Sequence, residues 1–285
     1  MWGTAETALS LALDAIDGTG IDRLFLWVHL VDPHFDEYGF PPVYVPATGY
    51  EDLFGSNPRT DAREAALMDY DRKIRYLDDQ LRDFFGVLAN RGILDRFLVV
   101  IAVDHGEEFF EKGRWGHTKA LTNTLVHVPL LIRLPDRQAA GVVSDDVVRN
   151  LDVMPTILDL LGIPPPPGAE GISLRPAWEG GNLPHLLAYG ESLRGGRNMR
   201  YLIDPERGLK LIVDVKRKTR ELFALTDDAE QNDLTGRQSG QADAMQQRLF
   251  QMIAGMERRA ISKRSNVEMS DEEKERLRRL GYMGK

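Results

Sequence analysis

Cysteine is absent from this sequence of 285 residues. That excludes disulfide frameworks, thiolate metal sites and cysteine nucleophiles, and leaves the compartment undetermined. No apolar run reaches the ~18 residues that a membrane helix needs. The opening segment MWGTAETALSLALDAIDG carries Glu6, Asp14 and Asp17, so it does not read as a signal peptide either. Positive charge is in deficit: 36 Lys and Arg stand against 44 Asp and Glu, a formal charge of -8. This balance argues against broad binding to nucleic acid or anionic membrane. No internal repeat is visible. With 42% hydrophobic and 28% charged residues, what remains is the composition of an ordinary soluble globular chain.

Hydrophobic spacing divides that chain into recognisable pieces. Ala8, Leu9, Ala12, Leu13 and Ile16 fall on one helical face, with Thr4 or Thr7 available as a cap. After Gly18 and Gly20, the run Leu24 to Val31 reads as a fully buried strand ending in Asp32-Pro33-His34. Residues 35–60, with Pro41, Pro42, Pro46 and Pro58, read as a long ordered loop. Helical spacing from Asp61 to Asn90 predicts a long helix, stopped by Gly92. Phe97 to Val103 and Val126 to Leu134 are strand candidates, with 107–120 as a loop between them, and Asp152 to Leu161 is a short helix. Past residue 185 the short alternating stretches 200–203, 209–215 and 220–225 predict an antiparallel meander. A polar helix over 240–260 and a last amphipathic turn near 272–280 follow. The fold class expected is α/β, with a mostly parallel central sheet flanked by helices over 1–184 and a small α+β subdomain over 185–285.

Ligands of open α/β sheets bind outside the carboxyl ends of the strands, and this chain's richest polar clusters stand there. Asp104-His105, followed by Gly106, offers an oxygen and a nitrogen to one divalent cation. Equally, Asp104 is a helix cap and His105 a packed histidine. His34 is a proton donor or substrate contact, imidazole being the side chain that titrates near neutrality, or else a loop histidine bonded to Asp36 or Asp32. His117 and Lys119, beside Trp115, clamp an anion or sit in a solvated loop. His29 and His127 read as core histidines. Glu107 and Glu108 read as the acidic first turn of a helix.

Taken in order, these pieces resemble the sulfatase family of the alkaline phosphatase-like superfamily. The motifs that carry the resemblance are LFLWVHLVDPHFDEYGFPP, the helix Tyr70-Asp71 through Ile74, Tyr76, Asp78 and Leu81, then FLVVIAVDHGEEF, GRWGHTKALTNTLVHVPLLIR and LDVMPTILDLLGIPPPPGAEGISL, with ELFALTDDAEQNDL and RLRRLGYMGK near the end. The resemblance implies a partial alkaline phosphatase-like sandwich and a hydrolase of sulfate esters, from small molecules or glycans. It implies that Asp104 and His105 ligate one divalent metal, calcium first, with manganese, magnesium or zinc open. His34 would stand near the ester's leaving oxygen, and His117 would contact the anion with Lys119 as its neighbour.

One departure from the family is large. Members carry a C-x-P-x-R or S-x-P-x-R motif whose first residue becomes formylglycine, the nucleophile, and a pair of metal-binding aspartates in the first half of the catalytic domain. Neither is found here, and in Ser56-Asn57-Pro58-Arg59 the arginine comes one residue early. The expectation is therefore a C-terminal portion, incomplete or inactive by itself: a truncated gene product first, otherwise one of two polypeptides with the missing N-terminal portion in trans, or a chain that has lost catalysis. Two other readings stay open: a phosphoric or phosphonic ester hydrolase or phosphoryl-group transferase of the superfamily, and a non-catalytic metal-binding fragment or partner subunit.

Overall fold

Apolar residues at helical spacing bury one face of α1 (Ala5–Gly18), where Ala5, Leu9 and Ala12 lie inside. In this computed structural model the described residues are 4–18, 20, 23–34, 62–117, 120–193, 196–260, 269–271 and 273–274. The helix packs on α2 (Ala62–Asn90), and Arg91 donates to Asp17 Oδ1 at 2.7 Å. Gly92 ends α2 in the left-handed region at φ 68°. The amide of Ile93 returns to the carbonyl of Leu88 at 3.1 Å, the hydrogen bond of a glycine-terminated helix.

β1 (Val99–Ala102) pairs with β4 (Leu130–Arg133) in register Val99 to Arg133 and Ala102 to Leu130. Between them lie a hairpin, β2 (Glu108–Phe109) with β3 (Trp115–Gly116), and a single helical turn, α3 (Asn123–Val126). Next come α4 (Val153–Leu160), entered through a tight turn at Asn150–Asp152, and the short α5 (Pro176–Glu179). The meander is a four-stranded antiparallel sheet, β5 (Ala188–Ser192), β6 (Met199–Asp204), β7 (Leu209–Asp214) and β8 (Thr219–Ala224), in sequential order. Every residue of β7 is buried. Leu121, Met199, Ile212 and Phe223 form a core cluster, with Val126 and Tyr201 packed against it.

The chain forms two compact units, Met1–Arg237 and Gln238–Lys285. In the second, α6 (Ser239–Ala260) buries Ala242, Met245 and Leu249, a stripe at helical spacing. Of the terminal turn expected over 272–280, only 273 and 274 are described. The proline-rich segment 35–60, including Ser56 to Arg59, also lies outside the described residues.

Four expectations need correction. Every strand pairing among the described residues is antiparallel, so the mostly parallel central sheet is not found among them. A parallel return usually runs through a crossover helix, whereas β1 is joined to β4 through a hairpin and one helical turn. Among the described residues the run 24–31 has no ladder partner, and Phe25 and Trp27 are 74% and 80% exposed, so it does not form a buried strand there. Residues 107–120 contain a hairpin, and 123–126 are helical, which shortens the second strand. His29 and His127 are exposed rather than core residues, and His127 Nδ1 lies 3.4 Å from Asp228 Oδ1.

Candidate functional site

Three loop corners bring three of the chain's histidines together. The first is a turn at 31–34, closed by the His34 amide donating to the Val31 carbonyl at 3.0 Å. Its Asp32 is buried and faces α1: the Ala5 amide donates to Asp32 Oδ1 at 3.0 Å, as an acidic cap at a helix N-terminus does. Burial pushes the Asp32 carboxyl above the usual carboxylate range, and the Ala5 amide and the Lys73 charge pull it back. The Asp32 carboxylate thus serves the helix, and only His34 of this corner joins the cluster.

The second corner leaves β1. The His105 amide donates to Asp104 Oδ1 at 2.9 Å, and His105 Nδ1 lies 3.0 Å from the Gly106 carbonyl. Asp104 keeps 67% of its side chain exposed, with Oδ2 3.9 Å from His105 Nε2. The corner is fixed from two sides: the Gly106 amide donates to the Leu125 carbonyl at 2.9 Å, and Asn150 Nδ2 donates to the Val103 carbonyl at 3.0 Å. A Cβ on Gly106 would stand 2.0 Å from the Thr124 carbonyl oxygen. Glycine is required here for the close approach of α3, a different reason from the sharp turn that the sequence suggested.

The third corner follows β3. His117 Nδ1 lies 2.8 Å from Oε1 of the buried Glu107, whose Oε2 is also buried and has no hydrogen-bond partner among the described residues. The acidic pair is therefore not a helical first turn, because 107–109 run into β2. Glu108, equally buried, accepts from Arg114 Nε at 3.2 Å and from Thr122 Oγ at 2.8 Å. Tyr70 of α2 packs its ring 5.1 Å from Phe109. Burial first, then the charges of Glu107 and Asp71, hold its hydroxyl above the ordinary tyrosine range. Glu107 is a site residue that spacing did not single out. Ten residues separate Glu107 from His117, and only the hairpin closes that interval.

Ring centroids lie 4.4 Å apart for His105 and His117, which stack at 23°, 5.0 Å for His34 and His117, and 6.2 Å for His34 and His105. One ring nitrogen from each histidine lies within 4.8 Å of the others. The rim thus joins His34, His105 and His117, sets Asp104 beside His105, and turns Asp32 elsewhere. Lys119 lies outside the described residues. Such an arrangement can bind a cation, contact an anion and move a proton. A divalent metal fits it: a carboxylate oxygen and an imidazole nitrogen stand side by side at Asp104 and His105, and an orphaned carboxylate oxygen of Glu107 is buried next to the cluster.

The model of the family described as sulfatase matches residues 5–163, and that described as N-sulphoglucosamine sulphohydrolase, C-terminal, matches 109–255. Among curated proteins, the chain is 30% identical over 113 residues to an N-acetylglucosamine-6-O-sulfatase of Bacteroides thetaiotaomicron, covering 40% of this chain and 20% of the relative. It is 37% identical over 100 residues to arylsulfatase K of Bos taurus, covering 35% and 18%. Two solved structures each align with a TM-score of 0.58. One, in complex with its substrate D-glucosamine-2-N,6-O-disulfate, is 24% identical, with 69% of this chain and 41% of that chain covered. The other, a phosphonate monoester hydrolase of Agrobacterium radiobacter, is 23% identical, with 68% and 42% covered. At that identity the likeness shows the fold. The chain therefore matches about a fifth of the length of these curated relatives and about two fifths of the solved chains.

Proposed function

Because the chain belongs to the sulfatase family, we propose that it supplies the metal and histidine half of a site that hydrolyses sulfate esters, with sugar sulfates as the substrate class. Residues 1–184 would form the catalytic part and 185–285 its C-terminal subdomain. The observation that carries the reading is the convergence of His34, His105 and His117 at one rim, next to Asp104.

In this reading Asp104 and His105 hold a divalent cation, calcium in the first place, which when bound polarises the ester and offsets developing negative charge. His117, with its Nδ1 held by the Glu107 carboxylate, keeps a fixed ring orientation and contacts the anion, with Lys119 as its neighbour. His34 gives a proton to the alcohol oxygen as the bond to sulfur breaks. Overall, water and the ester yield the alcohol and sulfate. The family's nucleophile, formylglycine, has no encoded precursor in these 285 residues. Turnover is accordingly assigned to a longer polypeptide or to a complex with the nucleophile-bearing segment in trans. These residues do not tell sulfur from phosphorus, so phosphate and phosphonate esters are the second reading. A metal-binding fragment without catalysis is the third.

Mass spectrometry of the native protein, followed by an aryl sulfate assay with calcium, tests the proposal. The expected result is a species bearing formylglycine that hydrolyses the ester, with kcat reduced about 10²- to 10⁴-fold in His34→Ala. A native 285-residue chain with no partner and no turnover would overturn it, and preference for an aryl phosphonate would move it to the second reading.

A further inference from the structure

We propose that the two turns at one end of the meander form a basic platform that binds a linear sulfated polysaccharide along its length, in addition to the site that receives a single ester. Strands β5 to β8 run antiparallel in sequential order, so the β5–β6 and β7–β8 connections lie at the same end of the sheet. Residues 196–200 and 214–220 there hold six cations, Arg197, Arg200, Lys216, Arg217, Lys218 and Arg220, against one acid, Asp214. Without these seven residues the formal charge would fall from -8 to -13. Positive charge, in deficit over the chain, is thus concentrated at one end of the sheet. The inference takes its ligand class, sugar sulfates, from the proposed function and adds a second contact surface to it.

The platform is built by specific contacts. Asp214 is buried at the base of the second turn, where its Oδ1 accepts from the amides of Lys216 at 3.1 Å and Arg217 at 3.0 Å. Its Oδ2 lies 3.6 Å from Arg197 and 3.7 Å from Arg217, so one carboxylate draws a guanidinium from each turn. The Val215 amide donates to the Asn198 carbonyl at 2.8 Å, and a Cβ on Gly196 would stand 3.7 Å from Lys216 Nζ. The two turns therefore hold one another. Arg200 is anchored by Glu191, 3.5 Å away, and by the Asn198 side chain. Lys216, Arg217 and Lys218 remain exposed, and neither lysine has an ion pair among the described residues. Lys218 stands at φ 57°, a left-handed position that glycine fills at less cost. An ordinary solvated turn explains the exposure. It does not explain a lysine at that position, or a buried acid committed to holding two basic turns together.

Clustered lysine and arginine attract polyanions, and guanidinium groups form paired hydrogen bonds to oxyanions. Sulfated polysaccharides, nucleic acid and anionic membranes all carry such groups in series. The distribution of charge favours the first. A duplex or a bilayer is wider than two turns and would be opposed by the negative remainder of the chain, whereas a single polysaccharide strand touches the turns alone. Met199, at the foot of the first turn, shares a core cluster with Leu121, four residues after His117. The turns and the histidine rim thus belong to one packed unit. A polysaccharide held at the turns is tethered to the unit that carries the rim, which raises the effective concentration of its sulfates there.

Fluorescence anisotropy of a labelled heparin octasaccharide, titrated with the full chain, tests the platform. Expected is saturable binding that weakens as salt rises, because counterions are released, and no binding of the desulfated octasaccharide. Lys216→Gln, Arg217→Gln and Lys218→Gln together should lower affinity about 10- to 100-fold, the effect of three exposed charge pairs. The same loss of charge at exposed positions elsewhere, Arg82→Gln, Arg137→Gln and Arg175→Gln together, should lower it less than about threefold, since salt screens distant charges. Equal losses in the two triple variants overturn the platform. So does equal binding of the desulfated octasaccharide, or tighter binding of a DNA duplex of equal charge or of phosphatidylserine vesicles. Acetylation of the natural chain needs no variant: the octasaccharide is expected to shield Lys216 and Lys218 and to leave Lys274 reactive, and two unshielded turn lysines overturn the inference. Neither readout involves ester turnover. A chain that binds the octasaccharide through these turns and hydrolyses nothing keeps this inference and sinks the one before it, and an active sulfatase that ignores the octasaccharide does the reverse.

Discussion

Lys210, the second residue of β7, is buried to 1% exposure, and its Nζ donates to Glu230 Oε1 at 2.6 Å and to Asn123 Oδ1 at 2.8 Å. Glu230 Oε2 accepts from the Asn123 amide at 3.1 Å. This one ion pair ties the loop after β8 to α3, and thus to the turn against which Gly106 packs. Removing one partner of a buried pair leaves a charge without compensation. Lys210→Met is therefore expected to lose about 3 kcal/mol of stability in urea unfolding, and Lys210→Met with Glu230→Gln less than the sum of the single changes. Burial lowers the Lys210 ammonium below its ordinary range, an effect that Glu230 only partly reverses. The folded protein then releases this proton at a lower pH than the unfolded chain does. Between the lowered value and the ordinary lysine value the unfolded state binds more protons, and stability rises with pH. The stability gap between the natural sequence and Lys210→Met should accordingly widen as the pH climbs through that window, and a gap that stays constant would contradict the burial argument.

Among the elements, two glycines make opposite predictions. A Cβ at Gly106 would collide with backbone, the Thr124 carbonyl, whereas a Cβ at Gly86, on the exposed side of α2, meets nothing within 4 Å. Gly106→Ala is expected to destabilise by about 1–3 kcal/mol through overpacking and to shift the His105 imidazole resonances in NMR spectra. Gly86→Ala should stabilise by about 0.5–1 kcal/mol, because alanine loses less backbone freedom in a helix. The sequence was most legible where an element is defined by its own periodicity. α1, α2, α4, α6 and three strands of the meander were readable because spacing and flanking turn residues lie within a few positions of each other. β4 was misjudged at its start because the mostly apolar stretch 125–134 was read as one strand, although His127 and Pro129 fall between a helical turn and the strand. His34 and His105 could be named from the ends of apolar runs, and His117 from the loop after the second of them. Glu107 could not, since its burial against His117 depends on a hairpin whose strands are two residues long.

At the scale of the whole molecule, the least legible feature was the one that depends on partners in space. A run such as LFLWVHLV has the composition of a strand covered on both faces, yet here it carries Leu24, Phe25 and Trp27 exposed at 37%, 74% and 80%. Pairing direction is likewise invisible to periodicity, which is why β1 and β4 were expected in a parallel sheet. Near them, Phe85, Leu94, Val99, Ile101, Leu131 and Ile132 line an open apolar groove of about 320 Å³. Single exposed apolar residues are common on soluble proteins, but large side chains gathered on one segment favour association. The isolated chain is therefore expected to bind the dye ANS strongly and to sediment with a mass that rises with concentration. Phe25→Ser together with Trp27→Ser should lower both signals. Because the two side chains lie mostly in water, the melting temperature of the double variant should stay within about 2 °C, the change that surface substitutions of up to 0.5 kcal/mol produce. A larger fall in melting temperature would mean that these side chains belong to the core of the folded chain, and unchanged dye binding would locate the apolar surface at the groove between β1 and β4.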